Sequence, residues 1–264
     1  MSKSILSLYS IFAWIFIGFG TAVLFLTTLF ILWPVSVLFH RAEGGLPHRV
    51  AQFWARMIVR VLPFWEIRTE GLERIEKGKA YVVVSNHQSL VDILVVLARL
   101  PLHFKFIAKR ELFWIPFFGW HLWLARYIPL RRGDPLSGKK CLEKAAAWLK
   151  RGVSVLFFPE GTRSPDGNIH DFKIGAFKTA VEQNKDLLPM VIAGTREAIP
   201  KHSWAVEKRA KISLKILAPL SAKEIRNADI AELRTRVRDR IVSEFASLGG
   251  RISASHCEET YPSS

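Results

Sequence analysis

From Ser4 to Phe39 the chain carries no charged residue. A run of this length excludes most soluble arrangements, because a water-exposed helix needs a polar face and a buried core helix rarely stays uncharged so long. It also outruns the apolar core of a signal peptide, roughly 7 to 15 residues, and lacks a clean small-residue cleavage site. A bilayer is spanned by about 20 helical residues, so residues 5–39 exceed one span and fall short of two. Pro34 is expected to end or kink the helix. Two arrangements remain: one span with an interfacial extension, or a short helical pair dipping into one leaflet from the side of the following domain. Arg41, Arg49, Arg56 and Arg60 follow the run and only Lys3 precedes it. If the segment spans, that asymmetry places the rest of the chain on the cytoplasmic face. The expected organisation is a membrane segment over 1–40, one domain over 41–250 and a loose tail over 251–264.

Charge narrows the partners. The 38 Lys and Arg against 23 Asp and Glu give a formal net charge of +15, which favours nucleic acid, acidic lipid headgroups or phosphorylated small molecules. The apolar N-terminus selects membrane lipids, and no nucleic-acid motif occurs, so nucleic acid is not an expected partner. Nine Trp and eighteen Phe supply apolar surface for a core with some left for lipid or acyl chains. Only Cys141 and Cys257 occur, neither with a C-x-x-C partner, so a disulfide framework or zinc site is not expected and a reducing, cytosolic face is the simplest setting.

The remainder reads as α/β. After an amphipathic stretch near 51–61, residues 65–69 alternate as a strand, and Tyr81 to Ser85 is a continuous buried strand. A helix follows from Ser89. Ser137 is placed to cap a helix with Cys141, Leu142, Ala145, Trp148 and Leu149 on its inner face, and Gly152 closes it before a strand at 153–158. Residues 188–193 read as another buried strand. Ile212, Leu214 and Ile216 alternate with polar residues as in a strand nearer the sheet edge, and Ile230, Leu233, Val237 and Ile241 recur at helical spacing. The order predicts a mixed, largely parallel sheet with flanking helices. The aromatic stretch 113–120 reads first as core, and otherwise as lining for an acyl chain or a membrane contact.

Two clusters carry chemistry. The passage Ser85-Asn86-His87-Gln88-Ser89-Leu90-Val91-Asp92 leaves a strand and enters a helix, so His87 lies on the connecting loop where a base is well presented. Positions five apart would point about 140° away from each other on one helix, an objection the loop removes. Asp92 has a second reading as the acidic member of a capping box begun by Ser89, and both roles are compatible. Downstream, Phe158-Pro159-Glu160-Gly161-Thr162-Arg163-Ser164 follows a strand and offers freed backbone N–H groups, a hydroxyl and a forked cation, which suit a phosphate. An ordinary turn with a Glu160–Arg163 ion pair is the plainer account of the same residues. Residues 133–140 nearly spell a nucleotide-binding P-loop, but Lys140 stands where a hydroxyl is needed and Pro135 removes a backbone donor. No serine nucleophile elbow exists either, since Gly152-Val153-Ser154-Val155-Leu156 lacks the second glycine.

Taken together, His87-x4-Asp92 and the 158–164 cluster, in this order and about seventy residues apart, resemble the 1-acyl-glycerol-3-phosphate acyltransferase family. The likeness extends through Lys109-Arg110-Glu111-Leu112 with Pro116 and Gly119, Ile128-Pro129-Leu130-Arg131, and Leu188-Pro189-Met190. It implies a glycerolipid acyltransferase domain at a membrane surface that moves a fatty acyl group from an acyl thioester to a lysophospholipid hydroxyl. His87 and Asp92 would be the catalytic pair, while Glu160, Gly161, Thr162 and Arg163, with Arg131 and Lys109, would hold the acceptor. The donor is acyl-CoA or acyl-carrier protein, with no cofactor or metal expected. Where the family often has Ile-Asp-Arg this chain has Leu130-Arg131-Arg132, so either arginine fits, and the spacing behind Ile128 favours Arg131.

Overall fold

The computed structural model describes residues 3–34, 45–62, 64–198 and 209–250. The end of the apolar run (35–39), Arg41, Cys257 and the tail over 251–264 lie outside them. The run forms one helix, α1 (Lys3–Thr27), continued by a π turn over Thr28–Leu32. Trp33 and Pro34 stay helical, and the Trp33 N–H reaches back to the Thr28 carbonyl. The break expected at Pro34 is thus a widened turn just ahead of it, which makes room for a residue that lacks an N–H and crowds the preceding turn.

Helix α2 (Gly45–Val61) runs back along α1. Tyr9 donates its hydroxyl hydrogen to the Val61 carbonyl at 2.6 Å, and Trp54 Nε1–H donates to Thr21 Oγ1 at 3.0 Å. Gly20 lies under the Trp54 indole, where a Cβ would come within 2.2 Å of the ring. Further on, Phe25 meets Phe117 and Trp120 at ring-centroid distances of 5.9 and 5.6 Å. From Tyr9 to Phe25, α1 therefore lies against the domain and does not project from it.

Among the described residues seven strands form one sheet in the order β1-β7-β6-β2-β5-β3-β4. They are β1 (Trp65–Glu70), β2 (Tyr81–Ser85), β3 (Phe104–Lys109), β4 (Ile128–Leu130), β5 (Ser154–Phe157), β6 (Asp186–Ala193) and β7 (Ala210–Ile216). Strands β2 to β6 run parallel, β7 is antiparallel to β6, and β1 is parallel to β7, which is the mixed, largely parallel sheet expected. Side-chain alternation splits the core in two. Tyr81, Val83, Leu156 and Leu188 face α2, α3 (Val91–Arg99) and α4 (Phe118–Leu124). Val82, Val84, Val155 and Val191 face α5 (Pro135–Lys150), α6 (Gly175–Glu182) and the last helix, Ile230–Ser247. Burial of both faces is why β2, β5 and β6 read as unbroken apolar runs.

Two local expectations change. Helix α5 is capped by Asp134, whose carboxylate accepts the Ser137 N–H at 3.1 Å, because Pro135 suits the first helical turn and moves the cap one residue ahead of it. Ser137 instead accepts the Arg131 N–H on its hydroxyl. Of the large apolar residues in 113–120 only Phe113 is in the core; Trp114 is 70% exposed, and Ile115, Phe118 and Trp120 are also exposed. A tight 3₁₀ turn over Arg110–Trp114 followed by the short α4 turns its apolar residues in several directions, and only one of them is inward.

Helix α2 is fastened to the sheet by neutral histidines. His48 Nε2–H donates to the Leu102 carbonyl at 3.1 Å and its Nδ1 accepts from the Tyr127 hydroxyl at 2.9 Å, while His121 Nε2–H donates to the Pro47 carbonyl. Burial pushes His48 down to about 3, and His103 and His121 each down to about 4. Unfolded imidazoles protonate near 6.5, so below that pH the unfolded chain binds more protons. The stabilisation is complete above 6.5 and is lost as the pH falls toward 4, at about 1.4 kcal/mol per pH unit for each buried imidazole. The denaturation midpoint should therefore fall between pH 6.5 and 4, against the opposing contribution of Glu160, whose carboxyl is held up at about 7, and His48→Gln should flatten that fall. Equal slopes in the two proteins would show that His48 is not one of the groups responsible.

Candidate functional site

The five parallel strands end on one edge, and the loops leaving β2, β5 and β6 lie side by side there because β2 sits between the other two. Asn86, at the end of β2, extends the pairing with its side chain. Its Nδ2 donates to the Ile192 carbonyl at 2.8 Å and its Oδ1 accepts the Ile192 N–H at 2.9 Å. His87 thus emerges from a fixed point.

Asp92, in the first turn of α3, is fully buried. Its Oδ2 accepts His87 Nδ1–H at 2.7 Å, the Gln88 N–H at 2.7 Å and the Ser89 N–H at 2.9 Å. Its Oδ1 accepts the hydroxyl of Thr195, the first residue of α7 (Thr195–Ala198). A carboxylate can only accept, so Nδ1 carries the proton that faces Asp92, and in the neutral ring Nε2 then carries the lone pair. Nε2 has no partner among the described residues. The oxygen that reaches back to the Ser89 N–H, as in the expected capping box, also holds the imidazole, but the helix cap itself is Leu90 and the Ser89 hydroxyl takes the Val91 N–H instead.

The 160–164 loop is strapped to His87 from β5. Glu160 Oε1 accepts the His87 N–H at 2.8 Å, the Ser164 N–H donates to the His87 carbonyl at 2.8 Å, and Phe158 stacks on the imidazole at 4.2 Å. Glu160 Oε2 accepts the His170 N–H at 3.2 Å. Burial pushes the Glu160 carboxyl up to about 7, with the Asp92 charge adding to the rise and the two backbone N–H groups opposing it. The carboxylate is thus occupied with holding loop backbone and forms no ion pair with Arg163.

Gly161 has φ of 76°, which favours glycine in the turn, and the Lys173 ammonium lies close over it. Thr162 and Arg163 are exposed, and Arg163 makes no ion pair among the described residues. The cation electrostatically coupled to it is Arg132, whose guanidinium is shifted down by burial first and by the Arg163 charge second, with Glu111 opposing. Arg131 is exposed and is held through its backbone N–H. Lys109, at the end of β3, lies on the same edge, 3.9 Å from Glu111 in a loose exposed pair.

The structure therefore brings His87, Asp92, Glu160, Gly161, Thr162 and Arg163 together, and adds Arg132, Lys173, Asn86 and Thr195. The last two lie at strand ends on the same edge, and Thr195 follows β6 much as His87 follows β2. Lys173 is an isolated cation in a return loop and carries no pattern of its own. Ser154 is excluded as a nucleophile because it is buried in the sheet with its hydroxyl accepting the Tyr81 N–H. No cluster of His, Cys, Asp or Glu among the described residues could hold a metal ion.

Known proteins share this architecture. A family described as Acyltransferase matches residues 66–193. The chloroplastic 1-acyl-sn-glycerol-3-phosphate acyltransferase of Arabidopsis thaliana is 37% identical over 203 residues, 76% of this chain and 56% of that one. The alpha form from Ovis aries is 34% identical over 197 residues, 73% of this chain and 68% of that protein. The match thus spans little more than half the length of the plant relative. The crystal structure of the 1-acyl-sn-glycerophosphate acyltransferase from Thermotoga maritima superposes with a TM-score of 0.74 at 30% identity, covering 95% of this chain and 98% of that one. On sequence and fold alike, the chain belongs to the 1-acyl-sn-glycerol-3-phosphate acyltransferase family.

Proposed function

We propose that this protein transfers a fatty acyl group from an acyl thioester, carried by coenzyme A or acyl-carrier protein, to the free hydroxyl of 1-acyl-sn-glycerol 3-phosphate, giving phosphatidic acid. The observation that carries this reading is the buried Asp92–His87 pair with a cation-rich loop strapped to the same histidine. His87 Nε2 takes the proton from the acceptor hydroxyl as its oxygen attacks the thioester carbon. Asp92 holds the ring and stabilises the imidazolium. The C–O bond forms, the C–S bond breaks, and the proton passes from Nε2 to the departing thiolate. A thioester is already activated, so attack is direct and needs no acyl-enzyme. Arg163 and Arg132, with Lys173 and the Gly161–Thr162 turn, hold the acceptor phosphate; Lys109 adds positive field. Glu160 serves the site by bracing the loop, since a carboxylate beside a phosphate would repel it.

The setting is a membrane. The stretch Leu8–Leu32 has a mean hydropathy of 2.4 and is mostly not buried, and the way α1 lies along α2 favours a helical pair dipping into one leaflet from the catalytic, cytoplasmic side. The test is thioester consumption with a panel of lysolipids and both donors. Turnover that requires lysophosphatidate and disappears in His87→Ala supports the reading. No turnover in either protein would mark a non-enzymatic basic binding protein for anionic lipids.

Arg163→Ala should raise KM for a phosphorylated acceptor by about tenfold or more, because a charge-assisted fork to phosphate is lost, while the exposed site leaves folding intact. Steady-state kinetics with varied acceptor measure this, and unchanged KM would remove Arg163 from the phosphate site.

A further inference from the structure

The exposed aromatic segment at residues 114–123 takes no part in the chemistry of the catalytic edge. Trp114, Ile115, Phe118, Trp120 and Trp123 are 70, 45, 44, 43 and 51% exposed, a concentration of large apolar surface that a water-facing loop does not sustain without a partner. Its backbone is held in an uncommon form. Phe117 has φ of 60° and ψ of −56°, and the Phe118 N–H donates to the Pro116 carbonyl at 2.6 Å, closing a three-residue turn that an aromatic residue adopts only where its surroundings enforce it. That turn directs the Phe117 ring against Phe25 of α1 and against Trp120, at 5.9 and 5.4 Å. The packing of Gly119 is equally demanding, since a Cβ there would fall 2.4 Å from the Leu112 carbonyl oxygen. The segment is thus a fixed platform, joined to the apolar helix.

We propose that residues 114–123 form a second membrane seat beside α1, resting in the boundary between hydrocarbon and headgroups. Lipid is the occupant because the platform packs on the long apolar helix at the buried Phe25, and the same stretch of that helix exposes Val23, Leu26 and Phe30. Its chemistry also fits, with tryptophans for the interface and the exposed Arg110 and Arg126 on either side of it at headgroup level. Its place in the chain gives the consequence. It leaves β3 at the edge that carries His87, and β3 neighbours β5, whose loop carries Glu160 to Arg163. Two contacts fix a tilt where one leaves a swivel, so the domain sits with its catalytic edge open to the lipid surface, and an amphiphilic acceptor reaches His87 without leaving the bilayer. This orientation rests on the acyl-transfer reading, whereas the contact itself does not.

The test uses the full chain with α1 intact. Trp114→Cys with Cys257→Ser is labelled with a polarity-sensitive fluorophore; Cys141 is buried. On addition of mixed phosphatidylcholine and phosphatidylglycerol vesicles the emission should shift to the blue and rise several-fold. Trp114→Ala/Phe118→Ala should lower kcat/KM about tenfold for an acceptor presented in those vesicles and leave a short-chain monomeric acceptor within about twofold. A label that stays water-like on vesicle-bound protein overturns the proposal, as does an equal loss on both forms of the acceptor. A blue shift in a protein without any acyl transfer would keep the seat and remove the proposed reaction.

Discussion

Replacing His87 with alanine is expected to lower kcat for acyl transfer by about 10² to 10⁴ while leaving the protein folded and KM for the acceptor within a few-fold. The size follows from losing the proposed general base. The selectivity follows from what stays behind. Asp92 keeps the Gln88 and Ser89 N–H donors and the Thr195 hydroxyl, so no buried acceptor is abandoned. The loop keeps both straps, because Glu160 and Ser164 bond the backbone of residue 87 and not its ring. The cost to stability is then that of one hydrogen bond and one ring stack, on the order of 1 to 2 kcal/mol. Arg163 and Arg132 are untouched, hence the small change in KM. A raised KM with undiminished kcat would move His87 from base to binding group.

The sequence made the halves of this site legible and concealed their assembly. His87 and Asp92 are five residues apart and the loop between them is visible, while the 158–164 cluster follows an obvious strand. What joins them is strand order. Placing β2 between β5 and β6 brings Glu160 from 73 residues away to one side of the histidine loop and Thr195 from 103 residues beyond Asp92 to the other. No local pattern encodes that neighbourhood, so Thr195 and Lys173 could not be found from spacing. The same holds for two strands. β3 is Phe-Lys-Phe-Ile-Ala-Lys, and its Lys105 looks like a surface residue, yet it is buried with its ammonium on the Ala125 carbonyl and over the Trp148 ring. β4 is three residues with a central proline, tolerated because it lies at the sheet edge. Strands buried on both faces were readable, since there the hydrophobic requirement is written in every residue.

Asp92→Asn is expected to lower kcat by about 10² to 10³ with the fold retained, and the reason separates charge from geometry. Three N–H donors converge on Oδ2, so the amide of the variant would turn its oxygen to them and its NH₂ toward Thr195. The threonine hydroxyl both donates and accepts, and it would rotate to receive that N–H. The imidazole stays oriented with its proton at Nδ1, and what disappears is the negative charge that stabilises the imidazolium. Thr195→Val alone removes one donor from a carboxylate that keeps three, so its effect on kcat should be milder, about tenfold or less, and Thr195→Ser should restore it. Combined with Asp92→Asn, the valine strands a buried NH₂ without an acceptor, adding about 1 to 3 kcal/mol of instability beyond the sum of the single changes. A double-mutant cycle in denaturation midpoint and kcat measures both effects. Wild-type turnover in Asp92→Asn would mean that the charge plays no part in the chemistry, and strict additivity would mean that Thr195 does not act through Asp92.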